Sequence, residues 1–230
     1  MTLPLKVRAV VAAHAALTKV GVLPDSSRAL KLPVEKRLSL GPGKAMVGAL
    51  PNVSTNDRSV PTRDGAQVRV RVYRAAGATD QPLLYMHGGG FAVGGLASCD
   101  HICRRLAHES GAVVVSVEYR LAPEHRFPVP LHDCLDVADW IAASSDELRV
   151  DVDKLVVGGD SAGGNLAAAI AVVFRDTGRQ LAGQLLIYPA IDLSGSLPGW
   201  REYRGVGRKE GDRVIGAAAY HGEAYGSVRS

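Results

Sequence analysis

In the stretch VVGGDSAGGNLA, residues 156–167, one serine sits among small residues. Gly159-Asp160-Ser161-Ala162-Gly163 satisfies Gly-x-Ser-x-Gly, the pattern of a serine carried on a tight turn from a strand into a helix. In such a turn, side chains two positions either side of the serine would meet neighbouring backbone, and glycines at 159 and 163 remove them. The chemistry this suits is attack of Ser161 Oγ on an acyl carbonyl, which needs a base for the hydroxyl proton and donors for the oxyanion. A helix starting at Ala162 aims free amides and its positive dipole end at that charge. A plain strand-to-helix turn would share these glycines, so a second motif has to decide.

That motif is MHGGGFAVGG, residues 86–95, which follows the apolar run PLLYM. Gly88, Gly89 and Gly90 let backbone amides come close to a substrate with no side chain in the way, as an oxyanion hole requires. A phosphate loop is a poor fit, because Gly-Lys-Ser/Thr is absent and the Gly-x-Gly-x-x-Gly spacing is not met. His87 precedes the glycines and reads as a loop anchor rather than a base. Asp160 reads as a polar partner of nearby backbone.

Together HGGG (87–90), YRLAPEHRFP (119–128), GDSAG (159–163) and YPAIDL (188–193) resemble the hormone-sensitive lipase family of α/β-hydrolases over about residues 60–195. The resemblance implies an α/β-hydrolase fold and a serine carboxylic-ester hydrolase acting on short-chain acyl esters through a Ser161 acyl-enzyme. It makes Ser161 the nucleophile and places the oxyanion hole at the amides of Gly89, Gly90 and Ala162, with Gly88 beside them. It makes Arg120, Glu124, His125 and Arg126 structural buttresses of the site loops. It implies no cofactor and no metal, since serine acyl transfer uses side chains and amides alone. Residues 1–55 resemble the family's N-terminal cap helices, 56–195 its core, and 196–230 a remnant of its cap insert followed by an atypical tail.

The triad of this fold runs in chain order Ser, Asp or Glu, His. The family's Asp-Pro and His-Gly blocks are not recognisable here, and only His221 follows Ser161. Of the downstream acids, Asp176 belongs to the helix after the nucleophile and Asp192 to the YPAIDL block, while Glu202, Glu210, Asp212 and Glu223 lie further on. Asp212 with His221 is the best remaining pair. The Gly-, Arg- and Ala-rich tail from about Arg201 reads as a truncated or frame-shifted product of an esterase gene. Without its histidine a serine hydrolase keeps only about 10³ to 10⁴ over water, so impaired turnover is expected. The alternative is a catalytically inactive homologue that binds a small ligand, as plant gibberellin receptors related to this family do. Missing strands would also expose a sheet edge and favour self-association.

The elements that must position these residues are legible in the hydropathy pattern. Val68, Val70 and Val72 alternate with polar residues, the mark of a strand exposed on one face. PLLYM (82–86), AVVVSVEY (112–119), KLVVGG (154–159) and QLLIYP (184–189) read as buried strands. Between them lie helices: CDHICRRLAHES stops at Gly111, LHDCLDVADWIAA puts Leu131, Cys134, Leu135, Ala138 and Ile141 on one face, and AGGNLAAAIAVVFRDT ends at Gly178. Alternating strands and helices predict a mostly parallel sheet covered on both faces, with an N-terminal helical cap and an incomplete C-terminal part.

Bulk properties narrow the remaining classes. The chain has 230 residues, 47% of them hydrophobic, enough for one sizeable core. Its net charge of +4 is spread among interspersed acids and bases with no basic recognition motif, which speaks against a nucleic-acid partner. Three cysteines, 99, 103 and 134, form no Cys-x-x-Cys pair, so a reducing compartment, the cytoplasm, is the simplest assignment. Cys99, His101 and Cys103 have ligand types but lack a second ligand pair for a metal. The N-terminal MTLPLKVRAVVAAHAALTKVGVLP has the early charge of a signal peptide, but His14 and Lys19 break its apolar run. It reads better as an amphipathic helix, and no run is apolar enough for a stable membrane span.

Overall fold

The computed structural model describes residues 32–38 and 49–190. The predicted N-terminal helix, Asp192, Glu202, Glu210, Asp212, His221 and Glu223 lie outside the described residues. In chain order the elements are α1 (Val34–Leu38), β1 (Ser54–Pro61), β2 (Gln67–Arg74), β3 (Pro82–Met86), α2 (Leu96–Ser110), β4 (Val113–Glu118), α3 (Val129–Ala143), α4 (Ser145–Leu148), a 3₁₀ turn (Val152–Lys154), β5 (Val156–Asp160), α5 (Ala162–Asp176) and β6 (Gly183–Ile187).

The strands form one sheet in the order β1-β2-β4-β3-β5-β6. The pairs β4/β3, β3/β5 and β5/β6 are parallel, while β1/β2 and β2/β4 are antiparallel. The alternation read from the sequence sorts side chains to two faces. Leu84, Met86, Val115, Val117 and Val157 pack with α3 and α5, whereas Leu83, Tyr85 and Val114 pack with Cys99, Cys103 and Ala107 of α2. Helices thus cover both faces, as a mostly parallel sheet requires.

The helices end where their sequences direct. Gly111 adopts the left-handed conformation (φ 71°) and its amide bonds the Ala107 carbonyl at 3.2 Å, closing α2. Gly178 (φ 72°) follows α5 in the same role. On α3, the predicted face of Leu131, Cys134, Leu135, Ala138 and Ile141 is buried.

The structure departs from the sequence pattern at β6 and β1. The apolar run QLLIYP implies a buried strand, but β6 is only half-buried, with Leu186 39% exposed and Tyr188, just beyond it, 72% exposed. Among the described residues it pairs on one side alone, so one edge of its residues lacks a covering neighbour. No apolar alternation marks β1, whose residues STNDRSVP are exposed except Val60. A strand held at the sheet edge by β2 need not carry the apolar alternation that betrays a strand.

Candidate active site

The chain passes from β3 to β4 on one side of the sheet and then crosses to β5 on the other, so the connections after β3 and β5 diverge. Such a switch point opens a crevice at the carboxyl ends of the strands. Met86 lies opposite Gly159 in the β3/β5 register, so His87-Gly88-Gly89-Gly90 and Asp160-Ser161 leave the sheet side by side.

Ser161 links β5 to α5 with φ 53° and ψ −113°, a conformation that costs a non-glycine residue about 1–3 kcal/mol and persists only if the surroundings enforce it. The enforcing contacts come from the exit of β6. Ser161 N–H donates to the Ile187 carbonyl at 2.9 Å, and the Ser161 carbonyl accepts from Ala190 N–H at 3.0 Å and Asn165 N–H at 3.1 Å. Asn165 also donates its side-chain amide to the Ala190 carbonyl at 2.8 Å. The flanking glycines are required sterically: a Cβ at 159 would stand 2.4 Å, and one at 163 only 2.0 Å, from the Met86 carbonyl oxygen.

The glycine loop is tied to this elbow through Asp160. Its Oδ1 accepts from Gly88 N–H at 3.0 Å and from the Tyr85 hydroxyl at 2.9 Å, and the Tyr188 hydroxyl approaches Oδ2 at 3.4 Å. Burial and then the Asp160 charge push the Tyr85 phenol far above its usual value, so it stays protonated and donates. The Gly88 amide is therefore engaged by Asp160. A Cβ at 88 would stand 2.2 Å from Asp160 Oδ2, so this glycine permits the loop's close approach to the elbow. The amides of Gly89, Gly90 and Ala162 have no backbone acceptor among the described residues. Gly89 (φ 127°) and Gly90 (φ 61°) hold backbone shapes that a side chain would oppose.

His87 is buried under this loop. Its Nδ1 lies 2.7 Å from the Gly88 carbonyl, which can only accept, so Nδ1 carries the proton. Its ring stacks on Tyr119 with centroids 4.2 Å apart, and the Tyr119 hydroxyl donates to the His87 carbonyl at 2.7 Å. Nε2 is buried with no hydrogen-bond partner among the described residues, and burial pushes the imidazole pKa below its usual value.

The YRLAPEHRFP segment braces the site from the other side. Arg120 forms a forked pair with the fully buried Asp133 of α3 (2.6 and 3.0 Å) and a second pair with Asp64 at 2.8 Å. Glu124 pairs with Arg37 of α1. Asp176, at the end of α5, pairs with Arg175 on the surface and takes no part in the crevice. Cys99 and Cys103 pack in the core on one face of α2, Cys99 Sγ lying 3.1 Å from the buried Ser116 hydroxyl. The sequence reading missed Asn165 and Arg37. Asn165, a lone polar residue one turn beyond the serine in an alanine-rich helix, was a usable signal; Arg37 in VEKRL offered none.

Comparison with known proteins gives a consistent family. A family model described as alpha/beta hydrolase fold matches residues 83–213. The chain is 42% identical over 158 residues to an ethyl acetate hydrolase of Pseudomonas putida, covering 64% of this chain and 48% of that protein. It is 39% identical over 156 residues to the carboxylesterase NlhH of Mycobacterium tuberculosis, covering 66% and 49%. The chain spans about half the length of the curated relatives it matches. A hyperthermophilic esterase from the archaeon Pyrobaculum calidifontis superposes with a TM-score of 0.82 at 37% identity, over 100% of this chain and 74% of that one.

Proposed function

Because the chain belongs to the hormone-sensitive lipase-like family of α/β-hydrolases, we propose that it is a carboxylic-ester hydrolase working through a Ser161 acyl-enzyme on short-chain acyl esters. The observation that carries this reading is the pairing of a strained serine elbow with a glycine loop, joined by the Gly88–Asp160 hydrogen bond at 3.0 Å. Ser161 Oγ attacks the ester carbonyl while a base takes its proton, and the carbonyl oxygen becomes an oxyanion held by the amides of Gly89, Gly90 and Ala162. Collapse of the tetrahedral species breaks the ester C–O bond, and the departing alkoxide takes the proton back. Water then attacks the acyl-serine by the same path and releases the acid. For the base, His221 oriented by Asp212 is the pair the sequence offers. The relatives named for ethyl acetate and carboxylic-ester hydrolysis support the substrate class.

The test is hydrolysis of p-nitrophenyl butyrate by the purified chain beside Ser161→Ala and His221→Ala, with mass-spectrometric detection of an acyl or phosphonyl adduct on Ser161. Slow turnover, abolished in Ser161→Ala and lowered in His221→Ala, with the adduct on Ser161, is the expected result. A rate equal to that of Ser161→Ala and no adduct would overturn the esterase reading and direct attention to a ligand-binding role.

A further inference from the structure

We infer that Arg37 is a positioning residue that clamps the glycine loop into its oxyanion-binding shape. The inference rests on the acyl-transfer reading above. Arg37 stands on the short helix α1, outside every motif, yet its side chain is fully buried. A buried guanidinium is tolerated only when its donors are met, and those of Arg37 reach the loop at Ala92, the 122–124 segment and its own segment at Leu32. Nη1 donates to the Ala92 carbonyl at 3.1 Å and to the Ala122 carbonyl at 2.6 Å; Nη2 donates to the Glu124 carboxylate; Nε donates to the Leu32 carbonyl at 3.2 Å.

The backbone of the same residue completes the clamp. Gly94 N–H donates to the Arg37 carbonyl at 2.9 Å, so residues 92 and 94 are both held by residue 37. Within the loop, Ala92 N–H and Val93 N–H both donate to the Gly89 carbonyl (3.2 and 3.1 Å), and Ala122 N–H donates to the Phe91 carbonyl at 2.9 Å. A Cβ at Gly89 would stand 1.9 Å from the Val93 carbonyl oxygen, which shows how tightly the turn is wound. Displacement of Ala92 or Gly94 must therefore move Gly89, whose amide and that of Gly90 are the proposed oxyanion donors. The planar fork matters: the guanidinium reaches four acceptors, Leu32, Ala92, Ala122 and Glu124, whereas a lysine ammonium has only three donors at a single atom.

Two measurements on the full chain test this, applied to Arg37→Ala and Arg37→Lys. By hydrogen–deuterium exchange, the amides of Ala92, Val93 and Gly94 are expected to exchange at least about 10-fold faster in both variants, the effect of losing a hydrogen bond, while β3 and α5 keep their protection. In p-nitrophenyl butyrate hydrolysis, kcat is expected to fall about 100-fold, as for a donor misplaced by about 1 Å, with KM within about 2-fold. Unchanged loop exchange, a raised KM at constant kcat, or loss of protection across the whole sheet in both variants would overturn the inference. Should the unsubstituted chain show no Ser161-dependent turnover, the esterase reading fails by itself and the exchange result still decides the role of Arg37 in shaping the loop.

Discussion

His87 shows how a residue type associated with catalysis can be given another task. With Nδ1–H donating to Gly88, the ring lying flat on Tyr119 and Nε2 sealed from solvent, the imidazole is built to stay neutral. Burial dominates the downward pKa shift, opposed by the Gly88 carbonyl and by the Asp160 and Glu118 charges. A base whose folded pKa lies below its unfolded value of 6.5 binds fewer protons when folded, so its contribution to stability is present above that pH and lost as pH falls below it. Urea titrations at about pH 7.5 and about pH 5.5 are expected to show lower stability in acid, with a slope of at most about 1.4 kcal/mol per pH unit from this group. His87→Asn, which can keep a donor toward Gly88, should flatten that slope. An unchanged slope would assign the acid sensitivity to other groups.

Among the elements, α3 does more than cover the sheet. Its Asp133 is fully buried and meets both the Arg120 guanidinium and the Arg120 N–H, the latter at 2.9 Å, which fixes where the chain turns after β4. Removing one partner of a buried pair leaves the other charge uncompensated, at a cost of about 3–5 kcal/mol. Arg120 is 17% exposed and retains Asp64, so Asp133→Ala should cost about 3 kcal/mol, the lower end of that range. Chemical denaturation would show it as a lower midpoint at constant m-value. A loss below about 1 kcal/mol would mean that Asp64 takes over the whole pairing.

At the scale of the molecule, stability is graded across the sheet. β3 and most of β4 are buried at every position, whereas β6 is half-buried and β1 is exposed except at Val60. Amides of β3 and β4 should therefore exchange only through global unfolding, while those of β6 and β1 exchange through smaller openings. The candidate site straddles this gradient. Its glycine loop springs from β3, but the Ser161 elbow is held by Ile187 and Ala190 at the end of β6. Urea dependence of exchange measured strand by strand would check the ranking; equal opening energies for β6 and β3 would refute it. Among the described residues no helix is long and apolar enough to cross a membrane.

Much of this was determined by the sequence alone. The strands β2 to β5, the three long helices and the glycines that end two of them, Gly111 and Gly178, follow from local periodicity and backbone preference, which short segments express without knowing their neighbours. The serine elbow was legible because its glycines keep a fixed local spacing around Ser161, although the Met86 carbonyl oxygen they make room for belongs to β3. What the tertiary structure decided are pairings between distant segments. The edge strand β1 exists because β2 offers it hydrogen bonds, and the half-exposure of β6 reflects its place in the strand order. The Gly88 amide is occupied because β3 and β5 lie in register, which brings Asp160 beside it. Arg37 became part of the loop's support because the fold sets α1 against residues 92, 122 and 124, separations of 55, 85 and 87 positions that no local pattern records.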